Sequence, residues 1–177
     1  MKFRSLMLPL AFLSLLAGCA GVQPKPVEAK LPPPLPQAPQ IVFKAPDGWL
    51  FRQGQLPNGI DIVELLRLDT EGVLVAQAAI MSQPSADVDV PKAIDDLAKA
   101  VADNGGAVII GNGPNKPTDR IGYVIPQGKV TIVGVVVFKP SVGVPGRTII
   151  IEGRWLSELT EVMGQEVRAI IESAELK

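Results

Sequence analysis

The serines of this sequence are its candidate nucleophiles, and none has an activating partner at the required spacing. The chain contains no histidine, which removes the commonest general base at neutral pH. A serine–lysine pair would need a lysine three residues after the serine. No lysine stands at that position after Ser82, Ser85, Ser141, Ser157 or Ser173. The sequence therefore predicts a protein that is not an enzyme.

Two segments contain residue types that bind phosphate or calcium, but neither has the spacing that such a binding loop requires. The segment GNGPNK (111–116) carries glycines and a lysine, but it lacks the Gly-x-x-x-x-Gly-Lys-Ser/Thr spacing of a phosphate-binding loop. It is interpreted as a flexible connection between strands. Asp87, Asp89, Asp95 and Asp96 supply carboxylates, but the calcium-binding loop with its central glycine and final glutamate is absent. We interpret these aspartates as a solvated helix start and predict no metal and no cofactor.

The composition excludes several further classes of site. The chain has 177 residues and one cysteine, Cys19, which allows neither an internal disulfide nor a thiolate metal cluster. Seventeen basic and 18 acidic residues give a net charge of −1, so no basic surface for nucleic acid is predicted. A hydrophobic fraction of 47% beside a charged fraction of 20% is typical of a globular chain.

Residues 1–18 have the pattern of a secretory signal peptide. Lys2 and Arg4 precede an apolar run from Ser5 to Leu16, and small residues follow it. A transmembrane helix needs roughly 20 apolar residues, so an uncleaved anchor is the alternative. Pro9 and two glycines after the run disfavour a continuous helix, and this favours the signal peptide.

The segment Leu16-Ala17-Gly18-Cys19 resembles the lipobox of bacterial lipoproteins at each of its four positions. The resemblance implies cleavage between Gly18 and Cys19, a diacylglycerol thioether on Cys19 and an acylated new amino terminus. Two or more acyl chains hold a protein stably on a membrane, whereas one chain holds it marginally. Ala20 is not the aspartate that retains such proteins in the inner membrane. The resemblance therefore implies the outer membrane, facing the periplasm, in a source with two membranes.

Residues 19–40 are predicted to be a lipidated N-terminus followed by a linker. The segment 23–40 contains seven of the chain's 17 prolines, a density that no helix or sheet ladder accepts, so polyproline II is favoured. At roughly 3.1 Å per residue the linker would extend about 50 Å. A docking ligand for a proline-recognising module, through residues 33–36, is the alternative. Such modules are unusual in a bacterial periplasm, which favours a stalk.

Residues 41–177 are predicted to form a single α+β domain, a mostly antiparallel sheet flanked by two main helices. One helix should run over 91–103, from Pro91 to the stop at Asn104-Gly105-Gly106, and the other over 156–172. Turns are predicted at 69–72 and 127–128. The predicted strands are 41–44, 49–53, 60–68, 73–81, 106–111, 120–125, 130–138 and 147–152.

Two of these strands, 130–138 and 147–151, are apolar along their whole length rather than alternating. A strand covered on both faces has this pattern. Ala76, Ala78 and Ala79 on a neighbouring strand would allow a helix to approach closely.

Motifs at the two ends of the domain carry a second resemblance. The opening FKAPDGW (43–49) and the closing helix with RAIIESAEL (168–176) resemble the PsbP-like superfamily and, within it, the DcrB-like bacterial lipoproteins. The resemblance implies an antiparallel sheet between helices and no catalytic residues, because these families act as accessory and binding factors. The matched positions are Phe43, Pro46, Gly48, Trp49, Ile171 and Ser173.

Taken together, the sequence predicts a membrane-anchored envelope lipoprotein that acts as a non-catalytic binding or assembly accessory for a protein partner. The loops 111–119 and 141–147 are the candidate contact segments. Trp49 and Trp155 are interpreted as packing residues rather than a ligand stack. A carrier of an apolar small molecule or lipid is the alternative, because the two apolar strands could line a cavity. An enzyme would need a polar cluster that the fold assembles in a cleft.

Overall fold

The computed structural model describes residues 40–56, 60–110 and 118–177. These residues form nine strands and two α-helices, with short 3-10 helices at Ser85–Asp87 and Ser157–Leu159. The helices are α1 (Val90–Asp103) and α2 (Thr160–Ser173). The strands are β1 (Ile41–Val42), β2 (Trp49–Gln55), β3 (Asp61–Leu68), β4 (Leu74–Pro84), β5 (Ala107–Ile110), β6 (Arg120–Gln127), β7 (Val130–Pro140), β8 (Arg147–Leu156) and β9 (Glu175–Leu176).

Seven of these strands form one antiparallel sheet in the order β2-β3-β4-β8-β7-β6-β5, and β1 pairs with β9. The strands β4, β8 and β7 lie in the middle of the sheet, while β2 and β5 are its edges. The prediction of an α+β chain with a mostly antiparallel sheet and two main helices is confirmed.

The central strands are buried on both faces, as their uninterrupted apolar runs predicted. β8 has six consecutive buried residues from Thr148 to Gly153, and β7 is nearly as enclosed. The main core places Ile149 and Ile151 of β8 with Met163 and Val167 of α2. The two apolar strands therefore contribute to an ordinary packed core.

Small residues bring α2 close to the sheet. A Cβ at Gly153 would lie 2.3 Å from Cγ1 of Val167, so a larger residue there would push the helix away. Ala76 and Ala78 face the same core, in agreement with the prediction. Ala79 points to the other face, because side chains alternate along a strand, and it does not meet α2.

The N-cap residue Asp89 sets the start of the first helix. The carboxylate of Asp89 accepts a hydrogen bond from the backbone N–H of Lys92 at 3.1 Å, so α1 starts at Val90 with Pro91 in its first turn. The helix ends at Asn104, followed by Gly105 with φ of +72°. Among the acidic residues weighed for calcium, Asp89 is therefore a helix cap.

Several predicted boundaries were wrong, and one strand was not predicted. The strand at 41–44 stops at Val42, and β9 was not predicted, because a two-residue pair is too short to show a periodicity. The last helix does not begin at 156. β8 continues to Leu156, which pairs with Ile132, and a 3-10 helix precedes Thr160.

Several predicted features lie outside the described residues: the signal peptide, Gly18 and Cys19, residues 19–39 of the linker, and the loop GNGPNK. Among the residues that are described, no helix is long and apolar enough to cross a membrane.

Candidate functional site

The segment FKAPDGW lies along α2 and is hydrogen-bonded to it at both ends. The backbone N–H of Lys44 donates to Oγ of Ser173 at 2.9 Å, and that hydroxyl is in reach of the Ile170 carbonyl at 3.1 Å. At the other end, the indole Nε1 of Trp49 donates to Oε2 of Glu166 at 2.7 Å. The two motifs at the opposite ends of the domain therefore contact each other directly.

The turn before β2 depends on Gly48. Its φ of +85° is a conformation that favours glycine, and a Cβ there would lie 1.6 Å from Nη1 of Arg67. The guanidinium of Arg67 covers this turn and lies 3.7 Å from the Glu166 carboxylate. Glu166 thus receives both the Trp49 indole and the Arg67 charge, which holds the start of β2 against α2.

An open groove lies between this segment and the edge strand β2, and we call it the aromatic groove. The rings of Phe43 and Phe51 meet edge to face, with centroids 5.4 Å apart. Phe51 is 59% exposed, whereas Trp49 is buried at the base. The groove has a volume of about 450 Å³ and is lined by Phe43, Ala45, Pro46, Asp47, Gly48, Trp49, Phe51 and Gln53.

A second group of polar side chains, the buried polar cluster, consists of Tyr123, Glu152 and Arg154. The Tyr123 hydroxyl donates to Oε1 of Glu152 at 3.0 Å and accepts from Nε of Arg154 at 3.1 Å. The same Nε lies 2.7 Å from Oε1 of Glu152. Gly134 leaves room for the ring, since a Cβ there would lie 2.2 Å from Cζ of Tyr123.

Burial raises the pKa of Tyr123 well above its usual value, and the neighbouring Glu152 carboxylate raises it further. For Arg154, burial acts to lower the pKa, but Glu152 and Tyr123 together outweigh it and the pKa of the guanidinium is raised. The cluster therefore holds a neutral phenol beside an ion pair. Every fully buried side-chain polar atom in the described residues has a hydrogen-bond partner. The three side chains therefore link β6 to β8 through hydrogen bonds within the sheet.

Four of the five serines considered as nucleophiles, Ser82, Ser85, Ser141 and Ser173, make structural contacts. Oγ of Ser82 accepts from Nε of Arg147 at 3.0 Å, and Ser85 shares a hydrogen bond with Thr148 at 2.9 Å. Ser141 accepts from the N–H of Val144 within its own loop. Trp155 is buried like Trp49, with its indole donating to Thr160, so both are packing residues as predicted.

The candidate contact loop 141–147 is tied to the C-terminus rather than to the groove. A Cβ at Gly143 would lie 2.1 Å from the carbonyl oxygen of Leu176, and the Gly146 carbonyl accepts from the N–H of Ser85 at 2.8 Å. Its Val142 is 96% exposed. The other candidate loop is described only from residue 118.

The sequence interpretation did not identify the aromatic groove as a binding site. Phe51 follows Trp49 and Leu50 in a short apolar run at the start of β2, and an aromatic residue in such a run is typical of a core position. Its exposure follows from the position of β2 at the sheet edge, which no local pattern predicts. The sequence signal for the groove is FKAPDGW, which supplies most of its lining. From the sequence, this segment is interpreted only as the motif at the start of the domain.

No protein-family model matches the sequence, and no curated protein is similar to it. Among solved structures, the chain is similar to LpqN, which is described as involved in cell envelope biogenesis of Mycobacterium tuberculosis. The identity is 15% and the TM-score 0.38, over 80% of this chain and 86% of that one. Protein CV1439 from Chromobacterium violaceum gives 11% identity and a TM-score of 0.23, over 73% and 72%. Likenesses at this distance carry no argument about function.

Proposed function

We propose that this protein is a lipid-anchored accessory factor of the bacterial cell envelope and binds a protein partner through the aromatic groove. Cys19 carries the lipid after cleavage behind Gly18, residues 19–40 act as a stalk, and the domain with its PsbP-like arrangement performs no catalysis. In a source with two membranes the anchor lies in the outer membrane and the domain faces the periplasm.

The observation that carries the proposal is an aromatic residue left in solvent beside a preformed groove. Phe51 is 59% exposed and contacts Phe43, while Trp49 and Glu166 hold the groove wall against α2. Aromatic residues of this kind are enriched where proteins bind one another. The rigid wall means that little conformational freedom is lost on binding.

The packing of the apolar strands does not favour the carrier of an apolar ligand. Their residues Val133, Ile149 and Ile151 are packed in the main core with α2, whereas the residues that line the groove come from β2 and the segment before it. A protein partner is therefore the better-supported ligand.

Photo-crosslinking in cells tests the binding surface. The full-length lipoprotein carries p-benzoylphenylalanine in place of Phe51, and the matched control carries it in place of Ile109, which is 54% exposed on the opposite edge strand β5. We expect discrete protein adducts from position 51 and none from position 109. Lipid adducts alone at position 51, or protein adducts only at position 109, would contradict the proposal.

Metabolic labelling tests the anchor separately. Labelled palmitate should enter the wild-type protein and be lost from Cys19→Ala, because the thioether forms on that sulfur. Label that persists in Cys19→Ala would refute lipidation at this residue and leave the groove proposal standing.

A further inference from the structure

The outer edge of β2 carries main-chain groups that no other strand of the described sheet uses. The N–H of Leu56 donates to the carbonyl of Ile60 at 2.9 Å, in register with the pairing of β2 and β3. In an antiparallel ladder, such hydrogen-bonded positions alternate with positions whose N–H and C=O point away. The even-numbered residues of β2 therefore bond to β3. The outward N–H and C=O groups belong to Phe51, Gln53 and Gln55.

Two of these three residues, Phe51 and Gln53, also line the aromatic groove. Phe51 pairs with Leu65 and Gln53 pairs with Val63, and both partners belong to the core beneath α2. A strand added beside β2 would therefore place every second side chain over the groove, against the exposed ring of Phe51. Main-chain hydrogen bonds and alternating side-chain pockets are the two elements of recognition by strand addition.

The opposite face of β2 adds a charge preference. Arg52 is the one charged residue of β2, and its side chain is 72% exposed although it pairs with Glu64. The register that pairs all seven β2 residues of two copies would set Arg52 against its own counterpart, and like charges directly opposite each other are unfavourable. An acidic residue opposite Arg52 is favourable, so in this register the charge disfavours a second copy and favours a chain that supplies an acidic residue.

We propose that β2 accepts an extended segment of another protein as an additional antiparallel strand, with apolar side chains in the aromatic groove and an acidic side chain opposite Arg52. This inference rests on the proposed function, since it states how the partner is bound. It also predicts the sequence of the segment: apolar and acidic residues alternate, and the apolar residues direct their N–H and C=O groups toward β2.

Amide hydrogen exchange of the full-length protein with a probe peptide, acetyl-Val-Glu-Phe-Glu-Val-Thr-amide, tests this mode of binding. At a peptide concentration ten times Kd, exchange at Phe51, Gln53 and Gln55 should slow roughly tenfold. Exchange at the even-numbered residues should not change, because β3 already protects them. N-methylation of the apolar peptide residues should abolish the effect, and N-methylation of the two glutamates should leave it intact.

Three outcomes of the exchange experiment would overturn the proposal. These are no protection at the three residues, protection without the alternation, and equal binding of the peptide that is N-methylated on its apolar residues. Alternating protection that appears without peptide and increases with protein concentration would assign the edge to a second copy instead.

A proline variant separates this inference from the proposed function. Gln53→Pro removes an outward N–H and leaves the β2–β3 ladder intact, and Gln53→Ala is its matched control. The crosslink from position 51 should disappear in Gln53→Pro and persist in Gln53→Ala.

A crosslink that survives in Gln53→Pro overturns strand addition while the proposed function stands. The absence of a protein crosslink from position 51 when residue 53 is still Gln defeats the proposed function itself. If Gln53→Pro does not fold, the exchange experiment on the wild-type protein still shows whether β2 accepts an added strand.

Discussion

The aromatic groove and the buried polar cluster lie on opposite faces of one sheet. They differ in whether their polar groups already have hydrogen-bond partners. In the cluster, Tyr123, Glu152 and Arg154 satisfy one another beneath the surface. At the groove, the outward main-chain groups of β2 find no strand among the described residues. The buried charged and phenolic groups therefore bond to one another, whereas the proposed interaction surface consists of main-chain groups and aromatic rings.

The largest expected effect comes from the cluster. Glu152→Ala leaves the guanidinium of Arg154 buried without its carboxylate, and breaking a buried pair in this way costs about 3–5 kcal/mol. The matched control is Glu64→Ala, which removes the partner of the exposed Arg52 on the same face and should cost less than about 1 kcal/mol. Urea unfolding measures both free energies. Equal losses would show that the cluster contributes no more than a surface pair.

A glycine comparison sharpens the same contrast. Gly134→Ala forces a Cβ to 2.2 Å from the Tyr123 ring, and overpacking of this kind costs about 1–3 kcal/mol. Gly54→Ala on β2 meets nothing closer than 3.9 Å and should leave the free energy of unfolding within about 0.5 kcal/mol of the wild type. If Gly134→Ala were as stable as Gly54→Ala, the ring of Tyr123 would not be confined by β7.

Alkaline titration probes the phenol, since Tyr123 is the chain's single tyrosine. Its pKa in the folded protein is raised above the ordinary value of 10.0, so the unfolded state loses the proton first. The contribution of this raised pKa to the free energy of unfolding is fully present below pH 10. It decreases as the pH rises further, by at most about 1.4 kcal/mol per pH unit. Tyrosinate absorbance at alkaline pH should appear only with unfolding, and Tyr123→Phe should lose this part of the pH dependence. Ionisation at the ordinary pKa in the folded protein would contradict the burial argument.

The smallest effect on stability is expected at the groove. Phe51→Ser should change the free energy of unfolding by no more than about 0.5 kcal/mol, because the ring is largely in solvent, yet it should abolish binding of the probe peptide. Leu50→Ser is the control, since Leu50 is 58% exposed on the other face of the same strand and should retain binding. Loss of binding in both variants would point to a general disturbance of β2 instead of a contact by Phe51.

Much of the fold was predictable because its signals are local. The capping carboxylate of Asp89, the stop at Gly105 and the apolar runs of β7 and β8 are each visible within a few residues of sequence. The turn at Asp69 is another local case, since its carboxylate accepts from the N–H groups of Glu71 and Val73. The start of α2 was mispredicted because pairing of β8 with its neighbours extends the strand through residues that would also suit a helix.

The candidate site was not predictable because its contacts join residues that are far apart in the sequence. Trp49 meets Glu166 across 117 positions of sequence, and Lys44 meets Ser173 across 129. No periodicity spans such separations, so the sequence offered the motif residues without the contact that joins them. The contact of Tyr123 with Glu152 and Arg154 has no local signal either, because it joins strands that are distant in sequence.

By itself the sequence determined the local chemistry: a Leu-Ala-Gly-Cys segment that resembles a lipobox, a proline-rich segment after it, helix caps, and strands apolar enough to occupy the centre of a sheet. Only the tertiary structure decided which of those strands lies at an edge and which aromatic ring remains in solvent. The physical reason is that hydrogen-bond pairing and burial on a strand depend on its neighbours in the sheet. β2 is exposed because the sheet ends there, and that position is decided by the strand order rather than by the seven residues of β2.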